Sequence, residues 1–286
     1  MRIHVVDKQG HFHFRPFFYP VHLREGSFDQ FEEDTNTTVP MRFSVRGPRY
    51  HLLGLLPCSL HLFGAENGRI NVLGSDAYGR DQLSRILYGG QVSLLAGLLG
   101  AGLTLFLGSL VGTTAGYCGG WRDEFLMRVA ELFLALPWLY LLFALRAFLP
   151  LAVSPLEAFL LVVVVTGTVG WARPARLVRG VVLSVKERDF VRAARGFGAS
   201  NVYLLRRHIL PETASVLSTQ AAILVPQFVL AEMTLSFLGL GVPEPVPSWG
   251  NLLSNLQQYS VLVSYWWMYL PALTIVPFFL AYLGLA

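Results

Sequence analysis

Charge is scarce in this chain. Of 286 residues, 14% are Asp, Glu, Lys or Arg, where a soluble domain carries about 25%. Set beside 53% hydrophobic residues, that deficit excludes an ordinary water-facing surface and points to a bilayer. Cysteine is almost absent. Cys58 lies in the polar N-terminal stretch and Cys118 just past an apolar run. The orientation derived below puts them on opposite sides of the membrane, so no disulfide is expected between them. Catalytic patterns are missing too. There is no H-E-x-x-H and no Cys pair, and the G-x-S-x-G-like neighbourhoods fall in apolar helix rather than at a strand–helix turn. The G-x-x-x-x-G frame from Gly74 to Gly79 lacks the Lys and Ser/Thr that hold phosphate and Mg²⁺. No such frame is completed elsewhere, which excludes ATP hydrolysis by this chain. His11 and His13 share one face of a strand but have no nearby third ligand, so no metal site is expected.

What is present is a series of long apolar runs. A spanning helix needs about 20 mostly apolar residues. Residues 92–116 supply 25 without a charge. Further spans are expected at 129–149, with Glu131 and Arg146 near its ends and Pro137 inside, and at 156–171, with helix continuing past Pro174. Residues 213–240, interrupted by Pro226 and carrying Glu232, and the uncharged 266–286 complete a count of five.

Lys and Arg are missing from 242–286, whereas residues 171–212 hold nine of them against three acids. Bracketed by apolar runs, that basic stretch reads as a cytoplasmic loop rather than a nucleic-acid surface. Counting outward puts the turn at 117–124 in the cytoplasm, and the loop 241–265 and residues 1–91 outside. Residues 1–91, with ten Lys/Arg and nine Asp/Glu, contain no signal peptide or spanning segment to export them. A span upstream of Met1 is therefore expected. Within this block, residues 11–17 and 41–46 alternate apolar and polar as half-buried strands do, punctuated by Gly10, Gly26, Gly47 and Gly64. A small β-containing extracytoplasmic region over 1–71 is expected.

Three features invite a functional reading. Ala96, Gly100, Thr104, Gly108, Gly112 and Gly116 recur every fourth residue, a row of small side chains against which another helix backbone can pack. Glu232 sits inside a span with no basic residue within one turn; it is either a pathway acid or a structural hydrogen bond to a neighbouring helix. Glu131 follows Arg128 by three residues, fitting an intrahelical ion pair, and Arg146 is expected to snorkel outward. The basic stretch itself reads as two short amphipathic helices joined near Gly198, Ala199 and Ser200, with Ser200 capping the second. Phe190, Val191 and Ala194 form a small apolar face ringed by Arg. Such a helix suits either a soluble partner or anionic lipid headgroups.

At these residues the chain resembles the ABC-importer permeases. Ala193-Ala194, Gly198 four residues on, and Leu210-Pro211 twelve and thirteen residues later match their EAA motif. Arg192 stands where the motif has Glu, and His208 where an Ile is usual. Residues 74–89, 115–123, 126–128 and 235–241, then Pro247-Ser-Trp-Gly250, are similar to the oligopeptide/dipeptide branch, nearest its C-type permease. The resemblance covers 72–286. It implies a type I importer fold, with a permease domain over 72–286 and a pathway for peptides. It also implies a second permease subunit as heterodimer partner, two cytoplasmic ATPases and an external substrate-binding protein. Phe190, Val191, Arg192, Ala193, Ala194, Arg195, Gly198, Ala199 and Ser200 would contact one ATPase, with Leu210-Pro211 setting the angle into the next span. No catalytic residue and no cofactor is implied, ATP being bound by the partner ATPase. The family's six spans place one before the region resembling 74–89, and a polar tail would follow Ala286. A permease for nickel or another small solute remains open. So do a membrane scaffold carrying the N-terminal region and a membrane-embedded enzyme, for which Glu131, Arg146 and Glu232 are the charged side chains available.

Overall fold

The computed structural model describes residues 3–7, 10–23, 31–34, 37–52, 56–65, 71–76, 78–148, 150, 153–259, 261 and 265–285. Gly26 lies outside them. The chain divides into two compact units, one of Met1–Leu87 with Tyr259–Leu270, the other of Tyr88–Gln258 with Pro271–Ala286.

The first unit holds seven strands: β1 (Ile3–Val6), β2 (Phe12–Phe18), β3 (Val21–Leu23), β4 (Phe31–Glu33), β5 (Val39–Pro40), β6 (Arg42–Leu52) and β7 (Leu56–Gly64). They pair antiparallel as β1-β2-β5, β3-β4 and β6-β7. The expected alternation over 11–17 does not appear in the burial, since Phe12 and Phe14 are exposed while Phe17, Phe18 and Tyr19 are buried in succession, Phe17 meeting Tyr19 edge-to-face at 5.5 Å. Residues 72–87, which the motif pattern groups with the permease region, belong to this unit. Trp267 Nε1 donates to the Ser75 carbonyl at 2.9 Å, and its ring lies where a Cβ on Gly74 would stand. In the same loop Asp76 accepts from the backbone N–H groups of Tyr78 and Arg80, each at 2.9 Å, from Arg80 Nε at 2.7 Å and from Arg85. The frame that resembled a phosphate loop is thus closed around its own carboxylate.

Helices follow: α1 (Gln82–Cys118), α2 (Gly120–Ala135), α3 (Trp138–Ala147), α4 (Pro155–Gly170), α5 (Ala172–Val185), α6 (Asp189–Gly196), α7 (Asn201–Leu204), α8 (Leu210–Phe237), α9 (Trp249–Ser254) and α10 (Leu270–Leu285). A π-turn, Leu205–Ile209, joins α7 to α8. Two unbroken helical segments are long and apolar enough to cross a membrane, Gln82–Cys118 and Asn201–Phe237. Two more candidates are bent pairs, α2 with α3 at 91° and α4 with α5 at 45°. The segment Trp267–Tyr282 is apolar but shorter. Two to four spans are therefore supported by the described residues, where the apolar runs suggested five.

Proline explains the breaks. Pro137 disfavours helical backbone at the residue before it, and Leu136 is extended at φ −87°, ψ 137°. The expected span over 129–149 is therefore bent by 91° within its length. Pro174, in the first turn of α5, lacks the N–H that would bond the Gly170 carbonyl, and the chain bends there while remaining helical. Pro226 is accommodated inside α8. The start of α4 is fixed by a capping box: Ser154 Oγ accepts from Glu157 N at 3.3 Å and Glu157 Oε2 from Ser154 N at 2.8 Å.

Candidate functional site

The basic stretch forms a helical hairpin between the long elements α5 and α8. Helix α6 ends where Gly198 adopts φ +85°, a left-handed backbone that only glycine takes without strain. Ser200 then caps α7, its Oγ accepting from Tyr203 N at 3.3 Å. Pro211, which has no N–H to offer the Arg207 carbonyl, comes just after the point where the ladder widens into the π-turn.

The hairpin is held from beneath. Val191 of α6, Leu204 of α7 and Ile209 are fully buried against Val178, Val182 and Val185 of α5, with Ala194 and Ala199 packed on the edge. Polar ties come from the end of α1. Tyr117 Oη donates to Asn201 Oδ1 at 2.6 Å, and Lys186 Nζ to the Gly116 carbonyl at 3.0 Å, a cation placed at a helix C-terminus. Asp123 of α2 receives both nitrogens of an Arg179 fork at 2.5 and 2.7 Å.

The expected apolar face is thus divided. Val191 and Ala194 point into the chain's own core, while Phe190 remains half-exposed beside His208, ring centroids 5.7 Å apart. His208 also meets Tyr203 at 5.7 Å. Arg192, the departure from the motif, pairs with Glu187 at 2.6 Å, and Arg188 with Glu212 at 3.2 Å. The Arg192 hydrogen bond holds the Glu187 carboxyl below the usual carboxylate range. Ala193 and Arg195 are exposed on α6, Leu210 is partly exposed, and Pro211 occupies the first turn of α8. A shallow open depression of about 580 Å³ is lined by Ala194, Phe197, Gly198, Ala199, Ser200 and Tyr203. Phe197, at the tip, is 93% exposed. Periodicity passed it over because it lies off the α6 stripe; the signal was an aromatic directly before a turn glycine.

The small-residue row of α1 faces α4, α5 and, at Gly100, Phe228 of α8. Thr104 Oγ1 donates to the Gly167 carbonyl of α4 at 2.9 Å, and a Cβ on Gly100 would meet Thr166 Oγ1 at 2.6 Å. Ala96 is buried. Lower in the row a Cβ on Gly108 would meet Pro174 Cβ at 2.7 Å, one on Gly112 the Ala175 carbonyl, and one on Gly116 Val182 Cβ at 2.9 Å. The backbone of α5 thus lies directly on that of α1, and α1 in turn anchors the hairpin.

Glu232 is fully buried in α8. Its Oε1 accepts from Ser236 Oγ at 2.6 Å, and Ser236 Oγ accepts from Val242 N at 3.2 Å. The Ser93 and Ser248 hydroxyls are close enough to act on the same carboxyl. Ser93 also accepts from Trp249 N at 3.1 Å, and Asn251 Nδ2 donates to the Val246 carbonyl at 2.7 Å. Of the two readings open for Glu232, these contacts describe a polar knot that folds the loop after α8 back onto α1. Arg146 does not snorkel. It is 1% exposed and donates to the carbonyls of Leu240 at 2.6 Å and Pro150 at 3.1 Å, because those carbonyls lie within reach and water does not. Arg128 and Glu131 form the expected exposed pair at 3.3 Å. Asp7 lies 3.3 Å from His11 Nδ1 and 3.2 Å from His13 Nε2.

Residues 106–286 match the family described as binding-protein-dependent transport system inner membrane component. The chain belongs to that family. It is a multi-pass membrane component of a transport system. It is 34% identical over 200 residues to the dipeptide transport system permease protein DppC of Bacillus subtilis, covering 70% of this chain and 60% of that protein. To the oligopeptide transport system permease protein OppC of Haemophilus influenzae it is 36% identical over 199 residues, covering 70% and 62%. The chain thus spans about three-fifths of the length of these relatives. A solved structure described as an amino acid ABC transporter with histidines shares the fold, with TM-score 0.50 at 16% identity over 71% of this chain and 91% of that one.

Proposed function

We propose that this chain is one of two permease subunits of an ATP-driven importer, forming part of a pathway for peptides and doing no chemistry itself. The names of its relatives, a dipeptide and an oligopeptide permease, support peptides over nickel. ATP is bound and hydrolysed by two cytoplasmic ATPase subunits, and an extracytoplasmic binding protein delivers substrate. In this reading residues 171–212 face the cytoplasm and the unit containing β1–β7 lies outside, with the five apolar runs as spans. Glu232 serves the loop rather than the substrate.

The observation that carries the reading is the α6–Gly198–α7 hairpin, rooted in α5 and tied to α1 through Tyr117 and Lys186. A lever so anchored transmits a push on its exposed surface into the bundle. A rigid element with an exposed face between two spans is what coupling to a moving ATPase requires. The test is to purify the affinity-tagged full-length chain in mild detergent and identify what accompanies it. Two ATPases and a second permease are expected. Ala193→Asp, at an exposed position on α6, is expected to release the ATPases while leaving the permease pair together. Retention of both ATPases by that variant contradicts the assignment.

A further inference from the structure

We infer that Arg173 and Arg176 line the translocation pathway and offer successive contacts to the terminal carboxylate of a passing peptide. The inference rests on the peptide-permease reading above and names the side chains that meet the substrate. Depth is the first observation. Helix α5 runs beside α1 in the same direction, since Cβ atoms built on Gly108, Gly112 and Gly116 would meet Pro174, Ala175 and Val182 in turn. Arg173 and Arg176 are the immediate neighbours of Pro174 and Ala175, so they stand near the levels of Gly108 and Gly112. Those glycines precede Gly116, the end of the uncharged run on α1, by about 12 and 6 Å of helix. Both arginines therefore start inside the layer that this run marks as apolar. Snorkelling toward the cytoplasm is opposed by helix geometry. Side chains on a helix lean toward its N-terminus, which on α5 is the deeper end in the orientation proposed above.

The second observation is the face that carries them. Pro174, Ala175, Val178, Val182 and Val185 form the buried side of α5. Arg173, Arg176, Gly180 and Ser184 are exposed, at spacings of three and four that set them in one stripe, with Leu177 at its edge. A Cβ on Gly180 would meet nothing within 4 Å. A guanidinium is costly against hydrocarbon, and intramembrane arginines face a bundle interior or a water-filled cavity. Thirdly, these two are uncommitted. Arg179, one position further along the helix surface, is held by Asp123, whereas among the described residues no ion pair or hydrogen bond takes Arg173 or Arg176. Two guanidinium forks one turn apart suit an anion with two oxygens, and every unmodified peptide ends in a carboxylate. A phospholipid phosphate offers similar oxygens, but it sits at the membrane surface, whereas the arginines begin below it.

The experiment uses the complete transporter, with its second permease, ATPases and binding protein, in vesicles of phosphatidylcholine with or without phosphatidylglycerol. The probe is a mixture of unmodified tripeptides. Changing Arg173→Gln and Arg176→Gln together is expected to lower maximal uptake about tenfold in both lipids. The half-saturating concentration should stay as in the wild type, because the binding protein sets it. Arg173→Lys with Arg176→Lys should keep most of the uptake, since the charge remains. In a Cys58→Ser, Cys118→Ser background, Arg176→Cys should react from the cytoplasmic side with a charged, membrane-impermeant thiol reagent, and more slowly when tripeptides are present. Should the Gln variant fail to assemble, this reaction decides. If the wild type takes up no tripeptide, the peptide-permease reading itself fails. If it does, and the Gln variant transports equally well, the inference is overturned. Reaction of Arg176→Cys only with a lipid-soluble maleimide overturns it too. A loss of uptake confined to vesicles with phosphatidylglycerol makes the pair a headgroup contact, which likewise contradicts the inference.

Discussion

At Asp76, burial pushes the carboxyl up, but hydrogen bonds from the Arg80 backbone and side chain, the Arg85 guanidinium and the Tyr78 backbone outweigh it. The group is held below the usual carboxylate range. With the folded pKa depressed, its stabilisation is fully present above the unfolded value of about 3.9 and disappears as pH falls through the lower folded value. Thermal unfolding of the solubilised protein should therefore show no Asp76 contribution to pH dependence between about pH 5 and 7, and a steepening loss below about pH 4. Asp76→Asn should remove that acid steepening and destabilise by about 3 kcal/mol, the cost of breaking a buried pair on one side. Ser200→Ala should cost about 1 kcal/mol through loss of the α7 cap, read as faster hydrogen exchange in α7 with the rest of the chain unchanged. Arg146→Met should free the Leu240 and Pro150 carbonyls and loosen the loop after α8, seen as faster proteolysis within residues 238–247.

Among the elements, α1 and α5 show how far the pattern of small residues reached. The fourfold spacing from Ala96 to Gly116 identified the surface on which a backbone can lie, because steric access depends on side-chain size alone. Which helix fills it depends on tertiary folding, and the pattern is silent about that. Gly112→Leu should force α1 from α5, since a Cβ there already meets the Ala175 carbonyl. Overpacking of this kind costs about 1–3 kcal/mol, and the melting temperature should fall with release of the Tyr117–Asn201 tie. Gly198 and Ser200 were legible for a similar local reason, since turn and cap chemistry are written within five residues. Arg146 and the inward turn of Val191 and Ala194 were not. Arg146 depends on the Leu240 carbonyl, which lies remote in sequence, and the burial of Val191 and Ala194 depends on how α6 folds down onto α5, α7 and Ile209, which the local pattern does not state. The second apolar run was legible as a run but its bend was not, because hydropathy records composition and not direction, and the chain turns through 91° at Pro137.

For the whole molecule, the anchored hairpin stands between the long elements α5 and α8 and is tied to the end of α1. The row on α1 packs against α5, α5 roots the hairpin, and the hairpin's tip leaves Phe197 exposed. Movement imposed at the tip has a short mechanical route into α1 and α8. The most direct test is site-specific cross-linking in membranes, with Ala193→Cys in a background where Cys58 and Cys118 are Ser. A thiol-reactive benzophenone attached at position 193 should on illumination insert into an ATPase subunit, with a yield that changes when non-hydrolysable ATP is added. Cross-links to lipid or to the other permease alone, with no ATPase product under either condition, would contradict the account.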